Sequence, residues 1–211
     1  MSIFYHEELY RSNELINKIK RFNVAICGAG ALGGNITESL ARSGFGQLKV
    51  IDFDRIEERN LSTQPFQKSD IGAFKAQMMA NNLYRAVGAR VDGVIKKLEE
   101  NNVHKLLRGS DLVIDVFDNS VSRQVVKDYC MDKKIPCLHV GLAGDYAEVI
   151  WNELYRVPSD TNDDVCDYPL ARNLVTLATS VACEVIVGFV AKGLQESYTI
   201  TLGDFAVRRF V

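Results

Sequence analysis

Asn23-Val24-Ala25-Ile26-Cys27-Gly28-Ala29-Gly30-Ala31-Leu32-Gly33 is the stretch that decides the fold of this 211-residue chain. Its apolar half, residues 23–27, has the look of a strand buried on both faces, as in a parallel sheet. It runs straight into Gly28, Gly30 and Gly33, a G-x-G-x-x-G turn, and residues 32–42 continue as a helix. Such glycines permit a tight turn and close approach of a phosphate, while the helix N-terminus offers free N–H groups and the positive end of its dipole. A second strand, residues 47–52, ends in Asp52, where a carboxylate accepts hydrogen bonds from a ribose hydroxyl pair. This frame predicts a nucleotide site rather than a packing turn. It leaves the nucleotide open, and alone it suits an NAD-dependent oxidoreductase.

Working outward, the strand–helix alternation continues. Residues 6–20 carry Leu9, Leu15, Ile16 and Ile19 at mixed 3–4 spacing, an amphipathic helix in one piece or in two around Ser12. After a polar loop (53–70), Asp70 is placed to cap a helix over 73–87. Strands at 91–95, 112–116 and 137–140 then interleave with helices at 101–107 and 120–132. This is the pattern of βαβ units, hence an α/β, doubly wound, mainly parallel sheet. A strand at 148–152, a long apolar helix over 171–192 and a hairpin of strands at 198–202 and 206–210 predict a mixed C-terminal edge. No domain boundary is visible, so residues 1–211 read as a single domain.

Composition narrows the class. Twenty-five basic residues against 27 acidic ones give a net charge of −2 and argue against a dedicated nucleic-acid binder. Five cysteines without a C-x-x-C pair disfavour a disulfide framework or a four-cysteine zinc site, and favour a reducing, cytoplasmic setting. The N-terminus lacks the charged-then-apolar pattern of a signal peptide. The apolar stretch 174–191 is interrupted by Thr176, Thr179, Ser180 and Glu184, which favours a core helix over a membrane span.

Beyond Asp52 come Asp54, Arg59, Asn60, Gln64 and Lys75, and later Asp118 and Asn119 at a strand end, with Arg123 one turn on. In a doubly wound fold these strand ends gather on the carboxyl edge, where ligands bind. Cleaving a triphosphate needs Lys or Arg on the phosphates and a carboxylate for Mg²⁺. Lys75, Arg59 and Asp118 are of that type, though each alone also reads as a solvated charge or, for the 118–119 pair, a helix cap.

The ordered motifs resemble the ThiF/MoeB/HesA superfamily, activating enzymes for ubiquitin-like proteins and sulfur carriers. The resemblance rests on the 28–33 turn, on D-x-D-x-[IV]-x-x-x-N-L-x-x-Q at 52–64, on D-[IV]-G-x-x-K at 70–75 and on D-x-x-D-N at 115–119. It implies that ATP and Mg²⁺ bind here: Asp52 on the ribose, Asn60, Gln64 and Lys75 toward the phosphates, Asp118 on the metal. It implies adenylation of the C-terminal glycine carboxylate of a small ubiquitin-like or sulfur-carrier protein. One departure stands out: Thr63 occupies the position where the family carries arginine. Arg59, or Arg11 from the partner of a homodimer, is the expected compensation. The departure also keeps open a catalytically impaired scaffold subunit. Family members that form a thioester carry a cysteine in the crossover before the long helix, where Cys166 is found, among Asp163, Asp164 and Asp167. Cys166 reads as a nucleophile or as a plain loop cysteine. Cys27, Cys130, Cys137 and Cys183 read as core residues, and His139 as structural.

Overall fold

The computed structural model describes residues 2–159 and 169–210. Helices α1 (Tyr5–Arg11) and α2 (Asn13–Ile19) lead into β1 (Asn23–Cys27), α3 (Ala31–Arg42), β2 (Gln47–Ile51), α4 (Lys75–Val87) and β3 (Val91–Val94). Next come α5 (Val103–Leu107), β4 (Leu112–Asp115), α6 (Ser120–Lys133), β5 (Cys137–Ala143) and β6 (Tyr146–Trp151). The long α7 (Arg172–Lys192) precedes β7 (Ser197–Thr201) and β8 (Ala206–Phe210). The break between α1 and α2 falls at Ser12, whose φ is 76° and whose hydroxyl accepts from the Leu15 N–H.

All eight strands form one sheet in the order β3-β2-β1-β4-β5-β6-β7-β8. The first five are parallel and the last three antiparallel, as the sequence predicts. Alternate side chains feed two cores, as the period-2 pleat requires. Val24 and Ile26 of β1, with Leu112 and Ile114 of β4, face the core under α2, α3, α4 and α7. Ala25, Cys27 and Val113 face the smaller core under α5 and α6. By length and composition α7 is apolar enough to cross a membrane, yet half of its apolar stretch is buried in this fold.

Two local expectations differ. Asp70 does not cap α4, which starts at Lys75 behind Phe74. Its carboxylate instead accepts from the Gln67 N–H at 2.9 Å and from Asn82 Nδ2 at 3.0 Å, closing a 3-10 turn (Lys68–Asp70) against the side of the helix. Strand β5 outruns its expected end at 140. The antiparallel partner β6 continues the ladder from Gly141↔Glu148 to Ala143↔Tyr146, beyond the level of β4.

Candidate nucleotide site

Strand order reverses between β1 and β4. Chains leaving their carboxyl ends diverge to opposite faces and open a crevice there. Gly28 turns the chain with φ of 111°, and a Cβ on it would lie 3.2 Å from the Val116 carbonyl oxygen. A Cβ on Gly33 would lie 2.0 Å from the Gly28 oxygen, so this glycine lets α3 sit directly on the turn. Gly30 differs: nothing lies within 4 Å of where its Cβ would be. Open space therefore stands over the N-terminus of α3, whose first N–H groups lack intrahelical acceptors.

Asp52 closes this turn from the β2 side. One carboxylate oxygen accepts from the Ala29 N–H and the other from the Asp54 N–H, both at 2.7 Å. Burial raises its pKa above the ordinary carboxylate value, against the pull of nearby Lys75 and of the two amides. Lys75, buried at the head of α4, reaches the exposed Asp54 carboxylate at 3.2 Å, while its N–H donates to the Asp54 carbonyl at 2.9 Å. The intervening loop is stapled by Arg55, which lies 3.9 Å over the Phe74 ring and donates to the Gly72 carbonyl.

Residues 62–65 cross the first turn of α3. Asn35 donates to both the Ala31 and Thr63 carbonyls, at 2.6 and 2.8 Å. Pro65 packs at Gly34, where a Cβ would clash at 2.8 Å. Gln64 is buried here, and its side-chain oxygen has no hydrogen-bond partner among the described residues. An orphaned buried acceptor beside the glycine turn fits a site that a ligand completes. Asn60 lies one turn earlier, its side-chain oxygen accepting from the Glu57 N–H at 2.9 Å.

On the β4 side, Asp118 is exposed and Asn119 caps α6 by accepting from the Ser122 N–H at 2.9 Å. Among the described residues no cluster of three or more His, Cys, Asp and Glu side chains forms a metal site. One exposed carboxylate at a phosphate site still fits Mg²⁺, which uses one or two carboxylates plus substrate phosphates. Below this loop lies a buried network. Asp115 accepts from the Phe117 N–H, from Arg123 at 3.4 Å and from His139 Nδ1 at 2.8 Å. Asn152 Oδ1 lies 2.6 Å from His139 Nε2, and the Tyr155 ring stacks on His139 at 3.8 Å. Burial pushes the Tyr155 hydroxyl up to about 12, while Arg123, which donates to it, works in the opposite direction.

The structure therefore gathers Gly28, Gly30, Gly33, Asp52, Asp54, Gln64 and Lys75, with Asn60, Asp118 and Asn119 on flanking loops. Arg59 donates to the Glu57 carboxylate at 2.6 Å. Arg11 is held within its own chain by Glu7 and, through two nitrogens, by Glu184 of α7; among the described residues no hydrogen bond or ion pair brings it to the glycine turn. Cys27, Cys130, Cys137 and Cys183 are buried, and burial pushes the Cys183 thiol up to about 12. Cys166 lies outside the described residues. Sequence reasoning missed Asn35 and Arg172, which donates to the Ser62 carbonyl at 3.3 Å. The visible signal for Asn35 was its place one turn from Ala31; for Arg172 it was a charge heading a long apolar helix.

A sequence profile of the ThiF family matches residues 7–193. The chain belongs to the ThiF family. Curated relatives of this ThiF-family chain include a SAMP-activating enzyme E1 of Haloferax volcanii, 35% identical over 55% of this chain and 44% of that protein. A sulfur carrier protein ThiS adenylyltransferase of Bacillus subtilis is 32% identical over 61% and 40%. The chain spans about half the length of the curated relatives it matches. Among solved structures, E. coli MccB with MccA-N7isoASN superposes with a TM-score of 0.82 at 20% identity, covering 97% of this chain and 69% of that one. That likeness establishes the fold.

Proposed function

We propose that this ThiF-family chain is one adenylation domain. It activates the C-terminal carboxylate of a small ubiquitin-like or sulfur-carrier protein with ATP and Mg²⁺. The observation that carries this reading is the cluster at the β1–β4 crevice: an open space at Gly30, Asp52 on the glycine turn, Lys75 beside it and an unpartnered Gln64 oxygen. The two relatives named above point the same way, one being an activating enzyme and the other an adenylyltransferase.

In this reading Asp52 takes the ribose hydroxyls, and Asn60, Gln64, Lys75 and the α3 amides take the phosphates. Asp118, with Asn119 beside it, holds Mg²⁺, which supplies charge neutralisation when bound. The substrate carboxylate oxygen bonds to the α-phosphorus as the bond to the pyrophosphate oxygen breaks. The nucleophile is already an anion, so no general base is required, and catalysis is positioning plus electrostatics. Transfer to Cys166 would then form a thioester and release AMP. A homodimer belongs to this proposal, but Arg11 would have to leave both Glu7 and Glu184 to enter a second subunit's site.

Pyrophosphate exchange tests the reading. The chain is incubated with Mg-ATP and small proteins ending in Gly-Gly, and mass spectrometry follows adenylate and any reducible adduct. Exchange dependent on the added protein supports it. Nicotinamide binding without pyrophosphate release would instead favour an NAD(P) oxidoreductase, and failure of exchange alone but not with a second subunit a scaffold. An adenylate that forms equally in Cys166→Ala, with no adduct in the wild type, removes the thioester step.

A further inference from the structure

We propose that Arg172, the first residue of α7, binds the β- and γ-phosphates of the nucleotide, an inference that rests on the ATP reading above. The site is short of positive charge. Asp52, Asp54 and Asp118 stand around the crevice, and Lys75 is already paired with Asp54 at 3.2 Å. Arg59 donates to Glu57, and Arg11 is held by Glu7 and Glu184. A triphosphate adds about four negative charges to this cluster. Among the described residues, Arg172 has no carboxylate partner. Its guanidinium makes one hydrogen bond among the described residues, the donation from Nη1 to the Ser62 carbonyl at 3.3 Å.

That contact places the guanidinium at the corner crossing the phosphate-binding helix. Ser62 precedes Thr63, whose carbonyl Asn35 ties to the first turn of α3 at 2.8 Å, and Gln64, whose side-chain oxygen is orphaned. The corner's own side chains, Ser62, Thr63 and Gln64, are all neutral. A guanidinium carries five N–H donors in a planar fork, so one bond to Ser62 leaves four for phosphate oxygens. Arg172 thus brings from α7 the cation that Thr63 cannot supply.

The test is titration of the intact chain with Mg-ATP, Mg-ADP and AMP by calorimetry. Arg172→Ala should weaken ATP binding about tenfold, the size of a lost charged hydrogen bond, and leave AMP binding and the melting temperature nearly unchanged. Arg172→Lys should fall between, because a point charge replaces a fork. Thr63→Arg placed on Arg172→Ala should recover ATP affinity. Unchanged ATP affinity in Arg172→Ala overturns the assignment. So does an equal loss for ATP and AMP, which would mark Arg172 as a structural tie of the corner. A wild-type chain that binds AMP and ATP with equal affinity overturns it too, whereas binding neither nucleotide would overturn the ATP reading beneath it.

Discussion

Asp52 follows directly on β2 and Asp115 is the last residue of β4, the two strands that flank β1, yet they are finished in opposite ways. Asp52 spends its oxygens on two backbone N–H groups, those of Ala29 and Asp54, and keeps a cation, Lys75, in its neighbourhood. Asp115 accepts one backbone N–H, from Phe117, and two side chains, Arg123 and His139, and is fully enclosed. The first arrangement fixes a loop to Ala29, the residue before Gly30, where space for a Cβ is open. The second is filled by the protein itself. Carboxylates after neighbouring strands of one sheet thus divide into one satisfied by backbone, which the proposed function assigns to the nucleotide, and one satisfied mainly by side chains, which belongs to the framework.

The largest effect expected from this division is on stability at Asp115. Replacing it with Ala leaves Arg123 buried without its counter-ion and His139 without its hydrogen-bond partner, which costs about 3–5 kcal/mol. Urea unfolding followed by circular dichroism measures it. A loss no greater than that of Asp52→Asn would break the comparison, because Asp115 would then be dispensable to the frame.

Asp52→Asn should cost less stability and more binding. An amide has one acceptor oxygen in place of two, so either the Ala29 or the Asp54 N–H loses its partner, at about 1–3 kcal/mol. ATP affinity should fall at least about tenfold with the charge gone from the ribose position. The pH dependence sharpens the point. Burial raises the Asp52 pKa above its ordinary 3.8, so in the folded protein the carboxylate takes a proton while an unfolded chain still holds it ionised. Through that window this group favours the fold as pH falls, and ATP affinity declines over the same window. An ATP titration repeated from pH 7 downward should show the decline in the wild type and not in Asp52→Asn.

The Asp52 side was legible in the sequence because its two backbone partners, Ala29 and Asp54, belong to one βαβ unit. A glycine turn after the first strand and a carboxylate after the second have a fixed spatial relation in such a unit, whatever the strand order elsewhere. Lys75 came with the motif as well. The Asp115 side was only half legible. His139 reads as structural, but its partner Asn152 comes from the neighbouring antiparallel strand's exit and Tyr155 from the loop beyond, pairings that depend on strand order. Asp70 misled for a related reason: a carboxylate ahead of a helix has the look of a cap, yet its oxygens are taken by Gln67 and Asn82. For Arg172 a charge heading a long apolar helix was visible, but its pairing with Ser62, 110 residues away along the chain, was not.

Gly30 offers the smallest stability effect and the cleanest separation between the two roles. With φ at −75° and ψ at −153°, it occupies backbone that alanine also adopts. Nothing within 4 Å meets the added Cβ. Gly30→Ala should therefore leave unfolding free energy within about 0.5 kcal/mol of wild type. Gly33→Ala, with its 2.0 Å clash against the Gly28 oxygen, should lose about 3 kcal/mol by overpacking. The methyl at residue 30 would nonetheless stand in the space over the α3 amides, where close backbone approach is what a glycine there provides. ATP affinity should drop about tenfold with the fold intact. Equal affinity in Gly30→Ala and wild type would mean that the space over α3 is not where phosphate sits, and Asp52 would lose its claim to face a ligand.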